Sequence, residues 1–178
     1  MGVNITSRIL GEAKAKRPLS PTTRRFRATQ EDVAGVLVVT DPQAAYHYAK
    51  DVINGRFPEG EAAIAKNTRW SYYYARDVIK GRWPRGEAAI ANDPQDAYFA
   101  YQYAKDVLKG RFPGGEEALA KDTYYAPLYA TNIVKGRWPE GEEAMAKDPY
   151  VAKEYLEQFP EAKREWVMRG WLDWFDWL

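Results

Sequence analysis

"KGRWPEGEEAMAKDP", from Lys135 to Pro149, is the fourth writing of one pattern. "NGRFPEGEAAIAKNT" begins at Asn54, "KGRWPRGEAAIANDP" at Lys80 and "KGRFPGGEEALAKDT" at Lys109. The Gly-Arg-aromatic-Pro marker falls at Gly55, Gly81, Gly110 and Gly136, at intervals of 26, 29 and 26 residues. Self-similarity at a period of roughly 20–50 residues is the mark of stacked supersecondary units.

Each unit reads as a longer helix, a tight joint and a shorter helix. The longer helix opens at Asp41-Pro42, Asn67-Thr68, Asp93-Pro94, Asp122-Thr123 and Asp148-Pro149. Asp or Asn there can accept a hydrogen bond from an orphan backbone N–H, and proline suits the first helical position. Small or aromatic residues then recur at helical spacing, as in Ala45, Tyr48, Ala49, Val52 and Ile53, and form one apolar stripe. Glycine at the marker predicts the stop, through a left-handed conformation that costs it nothing.

Beyond the joint, Pro58, Pro84, Pro113 and Pro139 can start the second helix, with Glu61, Glu87, Glu116 and Glu142 near its positive end. Ile64, Ile90, Leu119 and Met145 supply its apolar contact. A helix this short cannot stand alone in water, so it must lie against the longer helix and the next unit. The predicted fold is all-α: an α-solenoid of about four helical hairpins of 26–29 residues.

Two departures interrupt the pattern. The third unit carries three extra residues around Ala97 to Tyr103, which predicts a long helix starting a turn earlier. In the fourth, Pro127 stands where Tyr46, Tyr72 and Tyr101 stand, which predicts a kinked or delayed helix.

The ends differ from the array. Ile5 to Lys16 reads as a short helix, and "RPLSPTTRRFRAT" as an extended basic arm. "TQEDVAGVLVVT" reads as a half unit leading in. Behind the array, residues 148–178 begin like a fifth unit, lack the Gly-Arg joint and hold four of the seven tryptophans, a composition suited to a helical cap over the last core face. Val167, Trp171, Trp174, Phe175 and Leu178 fall on one predicted stripe, with Trp166 and Trp177 off it. The domain reading is residues 1–28 as helix and arm, 29–147 as the array and 148–178 as the cap.

Composition narrows the chemistry. The chain has 178 residues and no cysteine, which removes disulfides, thiolate metal sites and thiol catalysis. No apolar run approaches the ~18 residues of a membrane span. Net charge is +1, yet residues 1–40 hold seven Lys/Arg against three Asp/Glu, so nucleic acid would be met only through the arm. There Arg24, Arg25 and Arg27 flank Phe26, a pattern that can neutralise phosphates while a ring stacks. Short basic runs are more often solvated tails or protein-docking arms.

Nothing specifies a reaction. His47, the single histidine, occupies a slot held by Tyr73, Gln102 and Leu128 in other units. No calcium loop or phosphate loop is present, so no catalytic, cofactor-binding or metal-binding residue is assigned. The recurring Arg56, Arg82, Arg111 and Arg137 lie five residues after Asp51, Asp77, Asp106 and Asn132. Each is expected to fold back onto that side chain or onto the last helix carbonyls, as a latch in the joint. A ladder of these arginines along one edge, reading phosphates or an acidic protein, is the functional alternative.

The pattern AYxYAxxVIxGRxPEGExAIA is carried by "AYHYAKDVINGRFPEGEAAIA" (Ala45 to Ala65) and its later copies over residues 41–147. It resembles the tandem repeats of uncharacterised bacteriophage proteins. The resemblance implies a phage origin and does not extend to either end of the chain. The functional expectation is a non-enzymatic scaffold that binds other proteins, as a structural component of a phage particle, with Arg24, Arg25, Phe26, Arg27, Trp166 and Trp177 as partner contacts. The alternatives are a phage accessory protein that sequesters a host factor and a nucleic-acid-binding accessory protein using the arm. The expected location is the virion or the host cytoplasm, without cofactor or membrane.

Overall fold

A computed structural model of the chain describes residues 35–91 and 97–172. Several expectations lie outside them: the N-terminal helix, the arm with Arg24, Arg25, Phe26 and Arg27, the early start of the third long helix, and Trp177. Every described element is a helix, so the fold is all-α. Among the described residues no helix is long and apolar enough to cross a membrane.

Residues 35–40 form a lead-in helix, α1, whose Val38 and Val39 pack on the core. The long helices follow in one form. Each starts as α-helix and widens into a π-helical stretch: α2 (Pro42–His47, then Tyr48–Ile53), α4 (Thr68–Tyr73, then Tyr74–Ile79), α6 (Ala97–Gln102, then Tyr103–Leu108) and α8 (Tyr125–Tyr129, then Ala130–Val134). The short helices between them are α3 (Glu61–Ile64), α5 (Pro84–Ala91), α7 (Glu116–Lys121) and α9 (Pro139–Met145). Then come α10 (Pro149–Gln158) and, after a 3₁₀ turn, α11 (Lys163–Met168).

The starts of α2, α4, α8 and α10 are held by side-chain caps. Asp41 accepts the Ala44 N–H at 2.7 Å and Asn67 the Trp70 N–H at 3.1 Å, while Asp122 and Asp148 each accept two N–H groups. Helix α8 opens two residues later in its unit than α4 does, which leaves Pro127 in its first turn, where no N–H is needed. Proline is accommodated there, and the first backbone bond of the turn, from Ala126 N–H to Asp122 O, matches those that open α2, α4 and α10.

Successive long helices touch one another, as do α5, α7 and α9, and each long helix packs on its own short one. Small residues make the close approach possible. Ala45, Ser71, Ala100, Ala126 and Ala152 are fully buried at one register; Ala49, Ala75, Ala104 and Ala130 are so at the next turn. Ile64, Ile90, Leu119 and Met145 fill the space beneath. Apolar burial of such side chains, at roughly 1.5–3 kcal/mol each, is what holds helices too short to persist alone.

The helix stop corrects the sequence reading. Asn54, Lys80, Lys109 and Lys135, and not the glycines after them, adopt the left-handed conformation, with φ of 52–57°. In each unit this residue and the following Gly55, Gly81, Gly110 or Gly136 both donate their N–H to one alanine carbonyl, such as Ala75 O. The glycine that space demands is the second in each joint. A Cβ on Gly60, Gly86, Gly115 or Gly141 would stand 2.3–2.6 Å from the ring of Phe57, Trp83, Phe112 or Trp138.

Candidate functional site

Each joint is completed by the unit that follows. Phe57, Trp83, Phe112 and Trp138 are buried against a tyrosine of their own long helix, with ring centroids 4.9–5.1 Å apart. Their backbone N–H groups point onward. Phe57 donates to Tyr74, Trp83 to Tyr103, Phe112 to Tyr129 and Trp138 to Tyr155, all at 2.8–2.9 Å. The same hydroxyls donate to Glu61, Glu87, Glu116 and Glu142 at 2.7–3.1 Å.

Those glutamates are also the partners of the joint arginines. Arg56, Arg82, Arg111 and Arg137 grip Glu61, Glu87, Glu116 and Glu142 with two N–H donors each, at 2.6–3.0 Å. The expected backward latch onto Asp51, Asp77, Asp106 and Asn132 is therefore overturned: the arginine turns forward. The Arg82 and Arg111 guanidiniums hold the Glu87 and Glu116 carboxyls below their ordinary range against the opposing effect of burial. Burial pushes the Tyr74 hydroxyl up to about 12 and raises Tyr103, Tyr129 and Tyr155 as well. These phenols stay protonated near neutrality and serve as fixed donors.

The aspartates belong to a second ladder. Tyr46 donates to Asp77 and Tyr72 to Asp106, both at 2.6 Å and both across a unit boundary. A cation of the tyrosine's own helix lies over each ring: Lys50 over Tyr46, Arg76 over Tyr72 and Lys105 over Tyr101, at 5.1–5.7 Å. Hydrogen bonds from Arg76 above all, with those from Tyr46 and Lys50, hold the Asp77 carboxyl far below its ordinary range although burial opposes them. At the third junction Asn132 replaces the aspartate and the bond reverses, Asn132 Nδ2 donating to Tyr101 at 3.1 Å. At the fourth, Pro127 replaces the tyrosine, and the ladder stops.

Trp166 is corrected by the structure. It is fully buried, stacked on Tyr155 with ring planes 9° apart, and its indole N–H donates to Glu142 at 2.8 Å. It cannot offer its ring to a partner in this arrangement. Val167, placed on the apolar stripe by spacing, is exposed. Arg137 bridges Glu142 and Glu165, and Trp171 packs edge-on against Trp166.

The exposed rings obey a different rule. Tyr98, Tyr124 and Tyr150 are 37%, 66% and 84% exposed and hold the same place in three successive units, 26 residues apart. No ladder uses them. His47 lies at the surface, its Nδ1 3.1 Å from Asp51 and its ring against Tyr46 and Trp70. Among the described residues no cluster of His, Asp or Glu is arranged to hold a metal ion.

Sequence reasoning did not single out the exposed tyrosines. The signal was present as the strings "AYFA", "TYYA" and "PYVA" at a spacing of 26 residues, obscured by the buried tyrosines around them. Comparison of the chain with protein-family models, with curated proteins and with solved structures finds no match.

Proposed function

We propose that the protein is a non-enzymatic α-solenoid scaffold that binds another protein along one edge, as a building block of a phage particle. The observation that carries this reading is the row of Tyr98, Tyr124 and Tyr150, exposed at one register of three successive units. Exposed tyrosines in a line supply rigid contact area with a polar tip, and such rings are enriched at protein interfaces. The joint arginines, their glutamates, the buried tyrosines, Asp77 and Asp106 are committed to the two internal ladders, which leaves the exposed tyrosine row for contact. The basic arm (Arg24, Arg25, Phe26, Arg27) and the Trp-rich end act as tether and cap in this picture. The phage assignment rests on the resemblance of the repeat.

The test is mass spectrometry of purified, nuclease-treated particles, with copy number, alongside pull-down from infected cells. A fixed ratio to capsid or tail proteins, lost in a Tyr98→Ser, Tyr124→Ser, Tyr150→Ser variant that still folds, supports the building-block role. Absence from particles, with recovery of one host protein, would assign the chain to sequestration of a host factor.

A further inference from the structure

Where the second ladder stops, the molecule leaves a groove. It lies between α8 and α10, about 410 Å³ in volume, and Pro127, Leu128, Thr131, Val151, Glu154 and Gln158 line it. Its relation to the preceding junctions is residue for residue. Tyr46 occupies the corresponding space between α2 and α4, where it meets Trp70, Tyr73 and Asp77. Val151, Glu154 and Gln158 hold those three registers on α10. Tyr72 meets Phe99 and Asp106 in the same way, and Tyr101 meets Tyr125 and Asn132.

At the fourth junction the set is dismantled together. Pro127 stands for the tyrosine, Thr131 for the cation above its ring and Gln158 for the acceptor of its hydroxyl. Only a Thr131–Gln158 hydrogen bond of 3.1 Å closes the far end. The walls remain apolar, from Pro127, Leu128 and Val151, and exposed Tyr124 stands at the rim, in the row proposed above to contact the partner.

We infer that this groove is a vacated tyrosine slot, filled on assembly by a tyrosyl side chain of the partner protein. The three filled copies define the guest: a flat ring between two long helices, with a hydroxyl directed at the position of Gln158, whose amide can accept or donate. The inference rests on the scaffold reading for the source of the ring. It deepens that reading by naming the group recognised.

The experiment is a titration of the full chain with p-cresol, the side chain of tyrosine, followed by backbone amide NMR. Saturable shifts centred on Thr131, Val151 and Gln158 are expected, with an affinity on the order of millimolar for so small a ligand. Toluene, without the hydroxyl, should bind several-fold more weakly. Pro127→Tyr fills the slot from within, as Tyr46, Tyr72 and Tyr101 do, and should weaken p-cresol binding at least tenfold. Thr131→Trp, at an exposed position, blocks the groove without touching the core and keeps the test open should the first variant not fold. Absence of saturable binding, or binding that survives both variants, overturns the inference. So does self-association by sedimentation that either variant abolishes, because the occupant is then a second copy. The titration needs no partner, so it can fail while the scaffold reading stands and succeed while that reading falls.

Discussion

Tyr103 accepts the backbone N–H of Trp83 at 2.9 Å across a unit boundary, while its own O–H donates a hydrogen bond to Glu87 at 2.9 Å. One phenol thereby satisfies a buried donor and ties two units together. Tyr103→Phe should cost about 1–3 kcal/mol, since it strands a buried N–H and removes a bond to a charged group. Tyr124→Phe, at an exposed ring outside both ladders, should stay within about 0.5 kcal/mol. Urea unfolding of the two variants separates them.

The two glycines of a joint should differ in their tolerance of a methyl group. Gly86→Ala places a methyl group 2.3 Å from the Trp83 ring and 3.0 Å from Ser71 Cβ, and should cost about 3 kcal/mol. Gly81→Ala meets no atom within 4 Å and should be nearly neutral. Lys80→Gly should stabilise by about 0.5–1 kcal/mol. It relieves a left-handed conformation costing an L-residue roughly 1–2 kcal/mol, partly offset by the greater freedom of glycine when unfolded. Thermal midpoints of the three variants test the set.

Stability should fall at both ends of the pH scale. Glu87, Glu116 and Asp77 have carboxyls held below their ordinary values of 4.5, 4.5 and 3.8, so their contribution is complete above those values and is lost as pH falls through the lowered ones. Tyr72 and Tyr74 are raised from 10 to about 12, so theirs is complete below 10 and is lost as pH rises toward 12. A plateau between roughly pH 5 and 10 is expected in thermal unfolding. A Tyr72→Phe, Tyr74→Phe variant should show a lower plateau and a shallower alkaline fall.

Two tryptophans should answer the same substitution differently. Trp138 Nε1 is buried without a hydrogen-bond partner, and Phe57 and Phe112 hold its place in other units. Trp138→Phe should therefore cost only about 1 kcal/mol, the lost packing being offset by removal of an unsatisfied donor. Trp166 donates to Glu142, so Trp166→Phe should cost about 1.5–3 kcal/mol. Denaturant midpoints followed by far-ultraviolet circular dichroism, which needs no indole reporter, decide this.

Local chemistry was legible in the sequence, and partner choice was not. Asp41, Asn67, Asp122 and Asp148 cap the helices as their types require, and the joint aromatics are buried as expected. Arg56, however, stands five residues from Asp51 on one side and from Glu61 on the other. Only the three-dimensional course of the joint beyond left-handed Asn54 brings Glu61, and not Asp51, to the guanidinium. The Tyr46–Asp77 bond spans 31 residues and has no local signature. Trp166 was misplaced for another reason: the fifth unit lacks the Gly-Arg joint, so a helical stripe counted through it loses register. The string Phe159-Pro160-Glu161-Ala162 repeats Phe57-Pro58-Glu59-Gly60, and counting from it sets Trp166 at the place of Ile64.

Because the tyrosine that finishes a joint arrives with the next long helix, the array has a direction. A chain emerging from the ribosome carries an unfinished joint at its growing end until the following helix has cleared the exit. Cutting the array after residue 147 would open the Trp138 N–H and Glu142 to water together, since Tyr155 serves both and Trp166 serves Glu142. Among the described residues, the tyrosine that completes each of the four joints comes from the unit that follows it. The polypeptide is therefore built to be shortened or extended more readily from its amino end, and its last unit is the one that cannot be spared.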